Sequence, residues 1–392
     1  MREQSTTAAA APLTADPCFR EAIAFFFPGN ATRAMIEPVP GGLSGSPVAR
    51  VILPTGSTWA LKRLPASCDA LRAVWLHRFL GHLRAAPLEW IPTVAAVRGE
   101  RVCRDASGGL WEMLSWMPGR PQHKPDVAQR RAMIEAVAAV HARAATFAEQ
   151  PAAEGVPPAC RDRIEQCRRL QQEPWACRFG GVRFPGGESG ATRRETPRLA
   201  HALATASRML TGAGIDAVRR VAASQPAESP LMVVLRDLSA DHLLLGDDER
   251  PGVDASWDST SLGSRVTGLI DFHAARFDSP ACDLARLLAS WHAGLPSRAA
   301  IDEAVAWYSE RRCAEDFVAQ DPQRLAALVD FLSATGVVLG LDNWFRWLLE
   351  EHRWFPDAGA VLARVEMHVA ALEGALSRLR GMPLALSADS RR

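Results

Sequence analysis

The chain has 392 residues, 48% of them hydrophobic, which is enough apolar material to bury more than one compact core. Charged residues make up 23% and the formal net charge is +1, so the sequence lacks the basic surface that attracts nucleic acid. The start does not resemble a signal peptide, and no apolar stretch is expected to reach the ~20 residues of a membrane-spanning helix. The eight cysteines lack CxxC spacing, which favours a reduced, cytoplasmic protein with neither nucleic-acid nor membrane partners.

The predicted elements of the first half are mostly strands. A helix pattern over residues 17–27 follows residues 1–17, which are expected to be loose. The predicted strands are 34–38, 47–53, 58–64, 93–97, 100–104 and 110–115, with a helix over 68–86. Residues 116–121 contain prolines and a glycine and predict a hinge. We therefore expect a small β-rich lobe over residues 18–117.

The second half is predicted to be mainly helical. Its predicted helices are 126–147, 161–172 and 197–223, followed by most of 280–379. Its predicted buried strands are 231–235 and 266–270, and its predicted loops are 179–196 and 246–264. The sequence thus predicts an α+β fold with a small β-rich N-lobe and a larger, mainly helical C-lobe over 118–392. That order suits a nucleotide held in the cleft between lobes.

Two features of the first half could bind phosphate. One is the Gly/Ser-rich segment 41–46, because glycine lets backbone approach a phosphate and consecutive N–H groups can cradle its oxygens. Its candidate residues are Gly42, Ser44, Gly45 and Ser46. The other is Lys62 on the third predicted strand, where a lysine can pair with the α- and β-phosphates of a nucleotide. A simple turn and a solvated strand lysine are the alternatives, but the spacing between the two features favours phosphate binding.

Two aspartate motifs follow the buried strands of the second half. Asp237 follows the first strand, where a carboxylate can orient and deprotonate an attacking hydroxyl, and His242 can reach a metal ion. Asp271 ends the second strand, where a metal-binding carboxylate is held rigidly. Asp283 lies in the run 278–285 (DSPACDLA), where it could cap a helix or brace a loop. Turn or capping roles are the alternatives for each aspartate.

The order of these motifs resembles the aminoglycoside phosphotransferase and choline-kinase-like superfamily, which shares the protein-kinase fold. The resemblance covers nearly the whole chain and is strongest from Leu231 to about residue 290. It implies a catalytic role for Asp237, metal binding by Asp271, and structural support from Asp283 and Arg236. It also implies that adenine binds beside Leu114, Trp116 and Met117, and residues 137–141, ending at His141, are similar to a helix motif of the family.

The sequence departs from the family pattern at three places. Leu235 replaces a histidine, and His242 replaces a metal-binding asparagine. An Asp-His pair at the latter position is similar to a divergent bacterial branch of the superfamily. The helix after Lys62 lacks the glutamate that would pair with that lysine: Asp69 is the only carboxylate predicted in the helix, and His77 lies about where the glutamate belongs.

The resemblance implies an ATP-dependent phosphotransferase acting on a hydroxyl of a small molecule, with ATP and a divalent metal, Mg or Mn, as cofactors. Imidazole suits Mn better than Mg, so His242 favours Mn. A pseudokinase that binds nucleotide with little catalysis is the alternative, and a protein kinase is disfavoured because no Ala-Pro-Glu-type run follows Asp271. Among the last helices, Asp342 and Glu350 could bind a cationic acceptor or form only a solvated face. The sequence does not predict the oligomeric state.

Overall fold

The computed structural model describes residues 17–39, 46–84, 88–149, 154–172, 190–212 (190–196 by their backbone alone), 214–225, 228–246, 265–313, 321–351, 353, 355 and 357–382. The chain divides into two compact units, Met1–Met117 and Pro118–Arg392. The N-terminal unit is rich in β-structure and the C-terminal unit is mainly helical, so the predicted fold class is confirmed.

The N-terminal unit is built on one antiparallel sheet of five strands in the order β1-β2-β3-β5-β4. Its elements are α1 (Pro17–Phe26), β1 (Met35–Val39), β2 (Val48–Ile52), β3 (Thr58–Arg63), α2 (Ala70–Arg84), β4 (Cys103–Arg104) and β5 (Leu110–Ser115). The hairpin between β2 and β3 turns at Gly56, whose φ of 85° is a left-handed conformation that favours glycine.

The apolar core of this unit lies on one face of the sheet. Leu61 of β3 and Trp111 of β5 are at most 1% exposed and pack in one cluster with Phe19 and Ile23 of α1. The Phe19 and Trp111 rings meet edge to face, with centroids 4.9 Å apart. Because successive strand residues point to opposite faces, the neighbours of Leu61 and Trp111 in β3 and β5 project from the other face of the sheet.

Asp105 stabilises the turn between β4 and β5. Burial by itself would raise the pKa of this carboxyl, but hydrogen bonds from Ser107, Trp111 and Gly109 lower the pKa to about 2. The indole N–H of Trp111 donates to Asp105 at 2.8 Å. Asp105 is therefore ionised at neutral pH and fixes the start of β5.

The C-terminal unit surrounds small sheets with long helices. Its strands are β6 (Arg120–Pro121), β7 (Glu154–Gly155), β8 (Ser229–Pro230), β9 (Met232–Val234), β10 (Leu243–Gly246), β11 (Arg265–Leu269) and β12 (Arg276–Asp278). Its helices are α3 (Val127–Ala144), α4 (Pro158–Gln172), α5 (Gly190–Thr211), α6 (Gly214–Ala223), α7 (Ala281–Trp291), α8 (Arg298–Cys313), α9 (Pro322–Phe345) and α10 (Ala358–Gly381). The pairs β12-β9 and β7-β8 and the order β11-β10-β6 define three sheets.

Helix α9 is the apolar centre of the C-terminal unit and packs against α4, α7, α8 and α10. Together with the π-helical turn that follows, it forms a 29-residue segment, Pro322–Glu350, with a mean hydropathy of 1.7 in its most apolar window. The expectation that no segment is long enough to span a membrane was therefore wrong for this helix. However, 83% of that window is buried inside the structure, as in the core helix of a globular protein.

Several predicted elements differ from the structure, and the strand predicted over 100–104 is reduced to β4, Cys103–Arg104. The helix predicted over 197–223 is two helices, α5 and α6, separated between Gly212 and Gly214, because two glycines so close together disfavour a continuous helix. The strand predicted over 93–97 forms only two isolated bridges. The loop predicted over 179–196 is helical from Gly190 onward, and the rest of it lies outside the described residues, as does 247–264.

Candidate active site

Asp237 lies on a tight turn directly after β9. Arg236 in this turn has a φ of 63°, a left-handed conformation that is uncommon for a residue with a side chain. The Asp237 N–H donates to the Leu235 carbonyl at 2.8 Å and closes the turn around Arg236. The Asp237 side chain is 54% exposed. The turn thus presents a carboxylate to solvent on a strained backbone, and such strain concentrates at functional sites.

Asp283, in the first turn of α7, fixes the backbone of this turn. Its Oδ2 accepts the Leu235 N–H at 2.8 Å and its Oδ1 accepts the Arg236 N–H at 2.6 Å. The side chain is completely buried, and the Nε2 of His141 lies 2.9 Å from the same Oδ2. The hydroxyl of Tyr308 lies 3.0 Å from the other ring nitrogen of His141. Several donors therefore satisfy a carboxylate that would be costly to bury alone.

The sequence pointed to Asp283 and His141, but it did not point to Tyr308. The contact between Tyr308 and His141 joins α8 to α3 across 167 residues. The one available signal was compositional, because Tyr308 is the single tyrosine of the chain. A long-range hydrogen bond of this kind has no local pattern that a sequence could show.

The side chain of Arg236 joins the turn to two aspartates. Its Nε lies 3.5 Å from Asp278 Oδ2, and its Nη2 lies 3.6 Å from Asp162 Oδ2. Asp278 is completely buried at the end of β12 and also accepts the Ala159 N–H at 3.0 Å. Burial raises the pKa of Asp278, although these partners act in the opposite direction. Arg236 therefore connects the turn to α4 and β12.

Arg286 of α7 contacts the carboxylate of Asp237 directly, and sequence reasoning missed this pair. Its guanidinium donates to Oδ1 of Asp237, and its side chain is 46% exposed. An ion pair between two half-exposed groups contributes little to stability, because water competes for both charges. The guanidinium therefore occupies one of the two oxygens of a carboxylate that is otherwise open to solvent.

The two residues predicted to bind metal lie close together in the structure. His242 Nε2 is 3.9 Å from Asp271 Oδ2, and the carbonyl of His242 accepts the Ile270 N–H at 3.0 Å. Asp271 has a φ of 64°, the second left-handed backbone in this region. His273, which sequence reasoning missed, places Nδ1 3.4 Å from Asp271 Oδ1.

In the described part of the chain, no three His, Cys, Asp or Glu side chains form a group that could hold a metal ion by themselves. The pair of Asp271 and His242 nevertheless fits a metal that is bound together with substrate phosphates. Mg²⁺ is commonly held by one or two carboxylates, phosphate oxygens and several waters, and not by an all-protein cage. The nearby imidazoles add a preference for softer divalent ions such as Mn²⁺.

Lys62 and its surroundings lie in the N-terminal unit. Lys62 of β3 is in direct register with Glu112 of β5. The Oε2 of Glu112 lies 2.8 Å from the Nε2 of His77 in α2, and both side chains are buried. Asp69 was predicted to lie in the helix, but it precedes α2 and accepts the Arg72 N–H at 2.7 Å. The sequence analysis considered only carboxylates in the helix and therefore missed Glu112, which lies on a strand.

The residues predicted to bind adenine and phosphate differ in their exposure, and some of them lie outside the described residues. Leu114 lies within β5, between Ala60 of β3 and Val94. Trp116 is 37% exposed, and its backbone N–H already donates to the Thr58 carbonyl at 3.1 Å. Met117 is buried and Ser46 is half-buried. Gly42, Ser44 and Gly45 lie outside the described residues.

Of the two residues considered for a cationic acceptor, Glu350 is exposed and Asp342 is buried. Asp342 is only 8% exposed and accepts a hydrogen bond from Gln166 Nε2 at 2.7 Å. Trp344 is buried against Trp347 and Phe355, with ring centroids 5.1 and 5.4 Å away. This arrangement favours a packing role for Asp342 and Trp344 over contact with a substrate.

Comparison with known proteins identifies the family. A model of the phosphotransferase enzyme family matches residues 36–254, more than half of the chain. The chain belongs to this family. The match contains Lys62, Asp237 and His242 and ends before Asp271. A search of curated proteins finds no significant match.

Solved structures of phosphotransferases share the fold at low sequence identity. An aminoglycoside phosphotransferase from Alicyclobacillus acidocaldarius subsp. acidocaldarius is 12% identical, with 96% of this chain and 98% of that chain covered and a TM-score of 0.52. Spectinomycin phosphotransferase, in complex with ADP and spectinomycin, is 9% identical over 88% and 93% of the two chains, with a TM-score of 0.54. Amicoumacin kinase, with AMP-PNP and Ca²⁺, is 11% identical over 89% of each chain, with a TM-score of 0.50. These likenesses show a protein-kinase-like fold, as the sequence predicted.

Proposed function

We propose that this chain transfers the γ-phosphate of ATP to a hydroxyl group of a small molecule. The observation that carries the proposal is the turn that presents Asp237, whose backbone is held by the buried carboxylate of Asp283. Asp237 would accept the proton of the attacking hydroxyl, or orient it, as the reaction requires. Rigid support of such a group is expected where positioning supplies much of the rate.

The other proposed roles concern the nucleotide. Lys62 would pair with its α- and β-phosphates, and the Gly/Ser-rich segment would cradle a phosphate through Gly42, Ser44, Gly45 and Ser46. Asp271, with His242, would hold a divalent ion, which neutralises charge on the β- and γ-phosphates when it is bound. Leu114, Trp116 and Met117 would lie beside the adenine. Phosphotransferases with the same fold that were crystallised with ADP or AMP-PNP support this assignment.

Arg286 sets a condition on the proposed reaction. Because its guanidinium contacts the Asp237 carboxylate, an acceptor hydroxyl has to share or displace that contact before its proton can be transferred. Positive charge beside Asp237 also attracts the negative charge that develops on the transferring phosphoryl oxygens. We expect Arg286 to move toward the phosphate or the acceptor when substrates bind.

The test is turnover of ATP in the presence of hydroxylated acceptors, measured as ADP release. Asp237→Ala is expected to lose at least about a hundredfold in kcat while its affinity for ATP stays within about twofold of the wild type. Asp216→Ala, which removes an exposed carboxylate on α6 that pairs with Arg219, serves as the matched control and should leave turnover unchanged. Unchanged turnover in Asp237→Ala would refute the catalytic role.

A pseudokinase is the second candidate function, and the ion pair between Asp237 and Arg286 favours it. In that case the carboxylate stays engaged, and the nucleotide serves as a bound ligand instead of a phosphoryl donor. This alternative predicts a higher melting temperature with ATP, no ADP release with any acceptor, and no gain of turnover in Arg286→Gln. Acceptor-dependent ADP release by the wild type would exclude it.

A further inference from the structure

The pairing of β3 with β5 places a carboxylate beside Lys62. The two residues in register are Lys62 and Glu112, which are directly opposite each other in an antiparallel pair. The Cβ atoms of directly opposed residues are about 4.5–5.5 Å apart, close enough for the two side chains to form an ion pair. Their neighbours Leu61 and Trp111 point into the apolar core with α1, so Lys62 and Glu112 share the other face of the sheet.

The same carboxylate is held by helix α2. Glu112 Oε2 lies 2.8 Å from His77 Nε2, and Glu112 and His77 are 2% and 1% exposed. An ionised carboxylate only accepts hydrogen bonds, so in that state it pairs with an N–H at His77 Nε2. A buried carboxylate is costly unless a positive charge compensates it, and a neutral imidazole supplies only one hydrogen bond. The lysine opposite Glu112 in the sheet is suited to supply the charge.

Cys68, just before α2, also lies near Glu112. The thiol of Cys68 has a raised pKa, first because it is buried and next because the charge of Glu112 lies nearby. Cys68 and His77 therefore both lie near the carboxylate that is opposite Lys62 in the sheet. The α2 segment itself, ALRAVWLHRFLGHLR, contains no acidic residue that could take its place.

We propose that Glu112 is the positioning residue for Lys62, and that His77 orients Glu112. In protein kinases a glutamate on a helix pairs with the phosphate-binding lysine of the third strand. Here the carboxylate has moved from the helix to the neighbouring strand, and the helix contributes an imidazole that holds it. This inference rests on the proposed function, because it assigns Lys62 to the phosphates of ATP.

The strand location has a consequence for regulation. A carboxylate on a helix leaves its lysine whenever the helix shifts, which is how many protein kinases are switched off. In this chain Lys62 and Glu112 belong to the same hydrogen-bonded sheet, so a shift of α2 would break only the contact between Glu112 and His77. A shift of α2 would therefore loosen the anchor of Glu112 without separating the strands that carry Lys62 and Glu112.

The experiment is a double-mutant cycle on ATP affinity in the full-length protein, with melting temperature measured alongside. Lys62→Met and Glu112→Gln should each raise the Kd for ATP about tenfold, and the double variant should be no weaker than Lys62→Met alone. Glutamine keeps the shape of the side chain, so Glu112→Gln should change the melting temperature little while it raises the Kd for ATP. His77→Gln should produce a smaller rise in Kd, because it removes only the anchor of Glu112.

Asp105→Asn is the matched control, because it neutralises another buried carboxylate of the N-terminal unit, in the turn between β4 and β5. It should lower the melting temperature and leave the Kd for ATP unchanged. If Glu112→Gln does not fold, Glu112→Asp decides the question, since a shortened carboxylate should raise the Kd several-fold in a folded protein. Lys62→Met with wild-type affinity would contradict the proposed function. Two outcomes would overturn only this inference. One is a raised Kd for ATP in Lys62→Met together with a wild-type Kd in both Glu112 variants. The other is additive effects of the two substitutions in the cycle.

Discussion

At the scale of single residues, sequence motifs indicated candidate site residues but not the side chains that contact them. Asp237, Asp271 and Asp283 were each identified because each follows a buried strand or opens a helix in a spaced motif. Their partners were not predictable, because Arg286 and Tyr308 reach the site through contacts that depend on how distant helices pack. Left-handed backbone at Arg236 and Asp271 also has no signature in residue types.

A residue-scale prediction concerns His368 on α10. Burial, and then the positive charges of Arg286 and Arg364, lower the pKa of its imidazole from 6.5 to about 4. The unfolded chain binds this proton below about pH 6.5 and the folded chain only below about pH 4, so the free energy of unfolding falls as pH decreases through this range. The expected loss is about 3 kcal/mol, measured by urea denaturation at a series of pH values.

The control for this prediction is His368→Gln, which removes the titrating group. Over the same range, the free energy of unfolding of the variant should fall by less than that of the wild type, because other groups still titrate. An identical pH dependence in the two proteins would show that His368 is not the group responsible.

At the scale of elements, the periodic patterns predicted most helices and strands of the chain. The bounds of β5 were predicted without error, and α1 differs from its prediction by one residue. Elements of two residues, such as β6 and β7, were missed, because so short a strand is defined by its pairing partner and not by its own pattern. The partner of Lys62 was missed for the same reason, since register between β3 and β5 is a property of the sheet.

An element-scale prediction compares two helical glycines. A Cβ at Gly81 in α2 would meet nothing within 4 Å, whereas a Cβ at Gly340 in α9 would lie 2.8 Å from the ring of His368. Alanine is favoured over glycine in a helix by about 1 kcal/mol, so Gly81→Ala should raise the free energy of unfolding by about that amount. Gly340→Ala should lower it, because a largely buried ring has little room to move.

Chemical denaturation of both variants checks this pair, with each serving as the reference for the other. The same helix preference acts at both positions, so the difference between them reports the packing around Gly340. Equal stabilisation by the two substitutions would mean that His368 and α10 shift at little cost to make room for the added methyl group.

At the scale of the whole molecule, family membership and fold class are established, and the individual activity is proposed. The family model and the solved phosphotransferases agree with a β-rich N-terminal unit and a helical C-terminal unit. The identity of the acceptor does not follow from fold, because one fold supports many substrates. The central claim is that the chain binds ATP together with a divalent metal through Asp271.

The measurement that tests this claim most directly is thermal unfolding with ATP in Mg²⁺, Mn²⁺ or EDTA, for the wild type and Asp271→Ala. A ligand that binds only the folded state at a hundredfold excess over its Kd stabilises that state by about 2.7 kcal/mol. We predict a metal-dependent increase in melting temperature in the wild type, at least as large with Mn²⁺ as with Mg²⁺, and its loss in Asp271→Ala. No increase with either metal, or an equal increase in Asp271→Ala, would contradict the account.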